Sequence, residues 1–246
     1  MSSAKKFEVI RTVFAVLVAL AISFVIIFFV SEQPVEAIKQ LLTGPLSSKR
    51  NFGNVLESMV PLIFTGTGVC IMFSANQINL ASEGAFHVGG LIATCVAINM
   101  TTRFMSPICA MVCAGIVGAI FTAIPAIMKI TTSAPELVSS LMINYLALYF
   151  GNYMLNNVIG DPKASAASYV LSDASKLPVL IDGTRVHLGF VIAILVAVLG
   201  YIFLYRTKIG YELRLTGENG EFAKYSGINI VKVSLVSQLV GGFIAG

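Results

Sequence analysis

FSANQINLASEGAFHVGG, residues 73–90, is the stretch on which the fold turns. Apolar sequence flanks it on both sides, yet Asn76, Gln77, Asn79, Ser82 and Glu83 crowd into a few positions, and no Lys or Arg accompanies them. An amide or carboxylate at membrane depth is expensive unless it faces a cavity or a polar partner. The segment therefore reads as a break between two membrane helices, whose freed backbone groups and side chains can line a site for a polar solute. The same residues also fit a plain turn, with Glu83 in the first turn of the next helix, where an acid is favoured.

The surrounding composition makes the membrane reading necessary. The chain has 246 residues, of which 57% are hydrophobic and 11% charged, with a mean hydropathy of +0.87. Soluble domains carry about 25% charged residues, so this chain cannot cover a water-facing surface. A soluble enzyme, a disordered chain and, at 4 Cys, a disulfide scaffold are excluded. The net charge of +4 is a small excess that orients a membrane protein and makes no case for nucleic acid.

A membrane helix needs about 20 apolar residues, and working outward from the break gives about seven candidate runs. They are Thr12 to Val30, Val55 to Phe73, Gly84 to Met100, Pro107 to Ile127, Leu137 to Leu155, Leu188 to Tyr205, and a run from Val233 onward. The second is expected to be broken by Pro61, Gly66 and Gly68. Lys5, Lys6 and Arg11 precede the first run, and the short loop at 206–232 holds Arg206, Lys208, Arg214, Lys224 and Lys232. By the positive-inside rule both lie in the cytoplasm, and alternation of the runs agrees. The polar loop from Asn156 to Arg185, with Asp161, Pro162, Pro178 and Asp182, is then external. The last run meets Gly246 without a polar flank, so residues 1–246 are expected to form one transmembrane domain that is incomplete at its C-terminus.

Ser106, Ala110, Ala114, Gly118, Thr122 and Ala126 recur every fourth residue, a stripe of small side chains suited to close helix contact, and Gly242 and Gly246 repeat the spacing. Cys109 and Cys113 share a helix face, but no His or acid stands at a metal-ligand spacing from them, and no metal is assigned. Glu83 and His87 lie one turn apart; a proton relay and an ordinary bond from His87 to a neighbouring helix both fit. Asn99-Met-Thr101 matches the glycosylation sequon, a pattern frequent by chance. In the basic loop, Gly217, Asn219 and Gly220 are expected to make a turn, Asn219 to cap a short helix near Gly220 to Ser226, and Gly227 to supply its left-handed stop. Phe222 and Tyr225 then sit one turn apart. Phe222 fits a partner's groove or the membrane surface equally well.

Three stretches resemble bacterial ABC importer permeases of the branched-chain amino acid, ribose and nucleoside type. FSANQINLASEGAFHVGG is similar to their Asn-Ile-Gly-x-Glu-Gly-Gln region, with Asn79, Glu83 and Gly84 matching and Asn76, Ala81 and Ala85 departing from Gly, Gly and Gln. ELRLTGENGEFAKYSGINI resembles their cytoplasmic loop, with Leu213, Arg214, Gly217, Asn219, Ala223, Gly227 and Ile228 in place. PELVSSLMINYLALYFGNYMLNN is similar to a stretch of the nucleoside-type members through Glu136, Met142, Asn144 and Tyr145.

That resemblance implies an all-α polytopic helix bundle with a broken helix near the membrane midplane, in the bacterial inner membrane with its N-terminus cytoplasmic. It implies a translocating subunit that does no chemistry itself. Its partners would be a second permease, a cytoplasmic ATPase and an extracellular solute-binding lipoprotein, with lipid around it. No G-x-x-x-x-G-K-[ST] loop occurs, so ATP and magnesium are expected on the ATPase and no cofactor on this chain. Asn76, Asn79, Glu83, Asn144 and Tyr145 are the expected solute pathway. Arg214, Gly217, Asn219, Phe222, Ala223, Tyr225 and Gly227 are expected to couple to the ATPase. Nucleosides are the first expectation, simple sugars the second and branched-chain amino acids the third. The rival is an ion-coupled secondary transporter using Glu83; a membrane-embedded enzyme finds no catalytic constellation in the sequence.

Overall fold

The computed structural model describes residues 3–100, 102, 105–160, 167–172, 175–181 and 183–246. Asp161, Pro162, Asp182 and the sequon's Thr101 lie outside the described residues. Helices dominate: α1 (Ser3–Val30), α2 (Pro34–Thr43), α3 (Lys49–Ser74), α4 (Ser82–Asn99), α5 (Met105–Thr132), α6 (Glu136–Asn157), α7 (Gly189–Arg206), α8 (Lys208–Glu218), α9 (Gly220–Tyr225) and α10 (Ile230–Ala245). Each expected apolar run is a helix. Among the described residues, α1 from Arg11, α3, α5 and α7 are long and apolar enough by length and composition to cross a membrane, and α10 is a shorter apolar helix.

The described residues fall into two compact units. One holds the residues up to Leu56 with 183–185; the other runs from Glu57 to Ile181 and from Val186 onward. In the first unit, none of the α1 span from Arg11 to Val30 is buried, as suits a helix whose every face is aliphatic or aromatic. Pro34 opens α2 at its first turn, where the missing N–H is no loss. Asn51 ties the entry of α3 to the preceding turn, donating to the Gly44 carbonyl at 3.0 Å and Ser47 Oγ at 3.1 Å.

In the second unit α4 and α10 both pack on α5. The small-residue stripe explains why: Ser106, Ala110, Ala114, Gly118, Thr122 and Ala126 are all buried. A Cβ placed on Gly118 would collide with the Gly242 carbonyl and with Cα of Gly246 at 2.7 Å, and one on Gly89 with the Gly246 backbone. The helices therefore touch backbone to backbone, where dispersion contacts are densest.

The expected break of the second run is corrected by the structure. α3 is continuous from Lys49 to Ser74 through Pro61, Gly66 and Gly68. A membrane helix tolerates Pro when local groups satisfy the freed backbone. Gly68 has a packing role instead, since an added Cβ would strike the Gly241 carbonyl of α10.

Candidate functional site

α3 ends where the sequence places the break, and the chemistry of its ending is specific. Asn76 takes φ +55°. Its N–H donates to the Phe73 carbonyl at 2.9 Å, and the Gln77 N–H reaches the Met72 carbonyl at 3.3 Å. This pair of bonds around a left-handed residue is the Schellman motif, usually built on Gly; Asn is the side-chain-bearing residue that tolerates the conformation best. The departure of Asn76 from the Gly of the resemblance thus keeps the geometry.

Residues 75–81 then form a strap that crosses to α4 under side-chain control. Asn79 is fully buried. Its Nδ2 donates to the Thr122 carbonyl of α5 at 2.9 Å and to Gln238 Oε1 of α10 at 2.7 Å, while its Oδ1 accepts from the Ala81 N–H at 2.8 Å. From α6, Asn144 donates to the Leu80 carbonyl at 2.8 Å and accepts from the Gly84 N–H at 3.0 Å, and Ser140 Oγ accepts from the Leu80 N–H at 3.2 Å. Asn144 lies roughly 12 Å along α6 from its first residue, and Thr122 roughly 15 Å along α5 from its last. The strap therefore runs inward from the helix ends, where Lys129 links Gln77 to Glu136 at the start of α6, to the level of Asn144 and Thr122.

A closed ring of side chains holds the strap. Gln238 Nε2 donates to Glu136 Oε1 at 2.9 Å, Lys129 Nζ bridges Glu136 Oε2 at 2.9 Å and Gln77 Oε1 at 2.8 Å, and Asn79 completes the circuit back to Gln238. The ring starts and finishes on the strap and takes one residue each from the end of α5, the start of α6 and the middle of α10. Glu136 is buried while the Lys129 side chain keeps 43% of its surface open, so the cation is partly solvated and the carboxylate depends on its two partners.

Placement separates the expected pathway residues. Asn79 and Asn144 spend their amides on backbone and on the ring, so their contribution is to hold the strap's shape. Asn76, Glu83 and Tyr145 are exposed. Ala81 and Ala85 are fully buried packing positions and face no open space. Among the described residues, no hydrogen bond joins Glu83 to His87, which is exposed and touches the Phe86 ring edge-on. Missed in the sequence reading were Gln77, Lys129 and Gln238 as partners. The available signal was Gln238, a lone amide in the middle of an apolar run, which in a membrane helix asks for a partner.

The second expected site is built from α8 and α9. Asn219 caps α9, its Oδ1 accepting from the Phe222 N–H at 3.0 Å. Gly227, at φ +83°, ends it with a second Schellman pair, the Gly227 N–H to Lys224 and the Ile228 N–H to Ala223, both 3.0 Å. Gly217 departs from expectation: it belongs to α8 and not to a turn, because the Ser74 carbonyl of α3 sits where its Cβ would be. Arg214 also turns inward. Its Nε donates to the Leu204 carbonyl at 3.1 Å and its guanidinium lies 4.7 Å over the Tyr205 ring, clamping α8 to the end of α7, where a cation meets the favourable end of the helix dipole. Ala223 is fully buried, whereas Phe222 and Tyr225 are 55% and 87% exposed. Behind them Ile71, Ala75, Leu204, Leu213 and Val233 form one buried cluster, with Ile228 packed against it. Ala75 is the first residue of the strap, so the outward-facing helix pair and the strap share a core.

The sequence pattern of the family described as "Branched-chain amino acid transport system / permease component" matches residues 51–246. A guanosine ABC transporter permease protein of Bacillus subtilis is 30% identical over 79% of this chain and 57% of its own length. A glucose ABC transporter permease protein of Haloferax volcanii is 30% identical over 95% of this chain and 64% of its own. A nucleoside ABC transporter permease protein of Lactococcus lactis is 25% identical over 96% of this chain and 69% of its own. The chain thus spans less than two thirds of the length of the first two. No solved structure matches it to a significant degree.

Proposed function

The chain belongs to the branched-chain amino acid transport permease family, and from that premise we propose that it is one membrane subunit of an ATP-driven importer for nucleosides or related sugar-containing solutes. Members of this family are multi-pass transport subunits. Here the subunit works beside a second permease, a cytoplasmic ATPase that binds ATP and magnesium, and an extracellular solute-binding lipoprotein. It sits in the bacterial inner membrane with its N-terminus cytoplasmic. The observation that carries the reading is the family match over residues 51–246, joined by similarity to guanosine and nucleoside permeases at the lengths given above. The similarity to a glucose permease supports a sugar as the second reading.

In mechanism, Phe222 and Tyr225 on α9 seat in a groove of the ATPase, as exposed aromatics do in partner pockets. Closure of the ATPase moves α8 and α9 as a body, because Arg214 and Gly217 fix α8 to the ends of α7 and α3. The displacement passes through the shared core to Ala75 and the strap, which the ring keeps in register with α5, α6 and α10. The solute route runs past the exposed groups beside the strap, Asn76, Glu83 and Tyr145, while Asn79 and Asn144 hold it in place.

Co-purification of the assembled transporter, followed by ATPase assays in liposomes with a nucleoside-loaded binding protein, tests this. Stimulation by the loaded binding protein is the expected result. A stable complex stimulated by a sugar instead moves the solute to the second reading, and no complex with an ATPase overturns the importer.

A further inference from the structure

The exposed face of α6 is unlike those of its neighbours. Tyr145, Tyr149 and Tyr153 are 62%, 73% and 60% exposed, and with Asn152 and Asn156, also exposed, they fall within one sector of the helix at 100° per residue, which exposed Val138 and Met142 occupy toward the start of α6. Tyr145 and Tyr149 stand either side of the midpoint of α6, too deep for the interfacial belts where membrane tyrosines usually reside. The exposed face of α5, by contrast, is aliphatic: Ile108, Val112, Ile116, Ile120, Ile124 and Ile127. Lipid suits the second face and not the first, since each phenol and amide facing hydrocarbon lacks a partner.

α4 repeats the pattern. Glu83, His87 and Gly90 are exposed and Thr94 half-exposed along one sector, opposite the buried Ala85, Val88 and Gly89. The two helices pack together and run parallel: the Gly84 N–H meets Asn144, and a Cβ added to Gly151 would stand 3.4 Å from a Leu91 methyl. Glu83 and His87 therefore stand at the depths of residues 143 and 147, bracketing Tyr145. Neither α4 nor α6 contains Lys or Arg, so Glu83 sets the sign of the exposed charge.

We propose that the exposed faces of α4 and α6 are one wall of the solute route, with His87, Tyr149, Asn152 and Tyr153 as further contact residues, and that this wall takes an uncharged, ring-bearing, hydroxylated solute of the nucleoside class. The proposal rests on the permease reading above and adds the wall's selectivity. Tyrosine rings stack on a base or on the apolar face of a sugar, and the amides serve hydroxyls and base edges. Glu83, with no cation on either helix, rejects the phosphorylated counterpart.

The test uses the assembled transporter in membranes, with Cys70, Cys95, Cys109 and Cys113 replaced by Ala. Asn152→Cys and Tyr149→Cys are compared with Ile194→Cys on the exposed aliphatic face of α7, using a membrane-impermeant maleimide. Labelling of the α6 positions at least tenfold faster than Ile194→Cys, slowed several-fold by guanosine-loaded binding protein or free guanosine, is the expected result. In the transporter with its native cysteines, Tyr149→Leu should raise the KM for guanosine about tenfold through lost base stacking, and Tyr149→Phe, which keeps the ring, should raise it less. Labelling as slow as Ile194→Cys, or indifferent to guanosine in a transporter that takes guanosine up, overturns the wall and gives the face to a partner subunit. Absence of guanosine uptake by the unmutated transporter overturns the solute assignment of the proposed function instead, a failure read in a separate assay.

Discussion

Replacing Gln238 with Leu removes two contacts of the ring while preserving most of the side-chain volume. Gln238 Oε1 is the acceptor for one Asn79 N–H at 2.7 Å, and its Nε2 is one of two donors to the buried Glu136 carboxylate, at 2.9 Å. A buried N–H left without a partner costs about 1–3 kcal/mol, and a lost hydrogen bond to a charged group about 1.5–3 kcal/mol. The new Leu buries apolar surface that offsets part of this, at most about 1 kcal/mol for the extra carbons. The balance is a loss of about 3 kcal/mol, close to a hundredfold in the unfolding equilibrium. Reversible unfolding of the purified permease in mixed micelles, by titration with a denaturing detergent, reads it directly, and limited proteolysis at residues 75–81 locates it. A loss under about 1 kcal/mol with an unchanged cleavage pattern would refute the idea that the ring holds the strap.

Other substitutions probe separate parts of the structure. Gly242→Ala should destabilise by about 1–3 kcal/mol or block folding, because the new Cβ runs into Thr122 Oγ1 and the Gly118 carbonyl, while Gly90→Ala, with nothing within 4 Å, should be neutral to slightly stabilising in the same assay. Asn76→Gly should keep stability within about 1 kcal/mol, and Asn76→Val should cost about 1–2 kcal/mol, since φ +55° is closed to a β-branched residue. Phe222→Asp should abolish stimulated ATPase activity in the assembled transporter and leave the melting temperature of the isolated permease unchanged, because the side chain is 55% exposed. Ala223→Asp should instead lower that melting temperature, as it buries a charge, and so is no clean test of docking.

The helices were legible because membrane helices announce themselves by apolar length. The small-residue stripe of α5 and its echo at Gly242 and Gly246 were legible too, since a four-residue period survives in the sequence whatever packs against it. Asn219 and Gly227 carried their capping roles in their residue types. α2 and α8 escaped because they are amphipathic and short, so a search for apolar runs passes over them. Gly217 was misread as a turn because a glycine signals freedom or proximity, and only the Ser74 carbonyl distinguishes them. The ring as a closed circuit was not legible: Lys129 and Glu136 are 7 residues apart, but its other links span 52, 102 and 159 residues along the chain, and only the tertiary packing of α5, α6 and α10 brings them to the strap. The polar break was legible from its cluster of amides, but residue type alone did not separate Asn79 and Asn144, which fasten the strap, from the open groups Asn76, Glu83 and Tyr145.

The most direct test of the central claim is uptake of labelled guanosine into proteoliposomes holding the assembled transporter, energised either by ATP on the ATPase side or by a proton gradient alone. Accumulation that requires ATP and the loaded binding protein, and that Phe222→Asp abolishes, is the predicted result. Accumulation driven by the proton gradient without ATP, indifferent to Phe222→Asp and lost in Glu83→Gln, would contradict the account and make the chain an ion-coupled transporter.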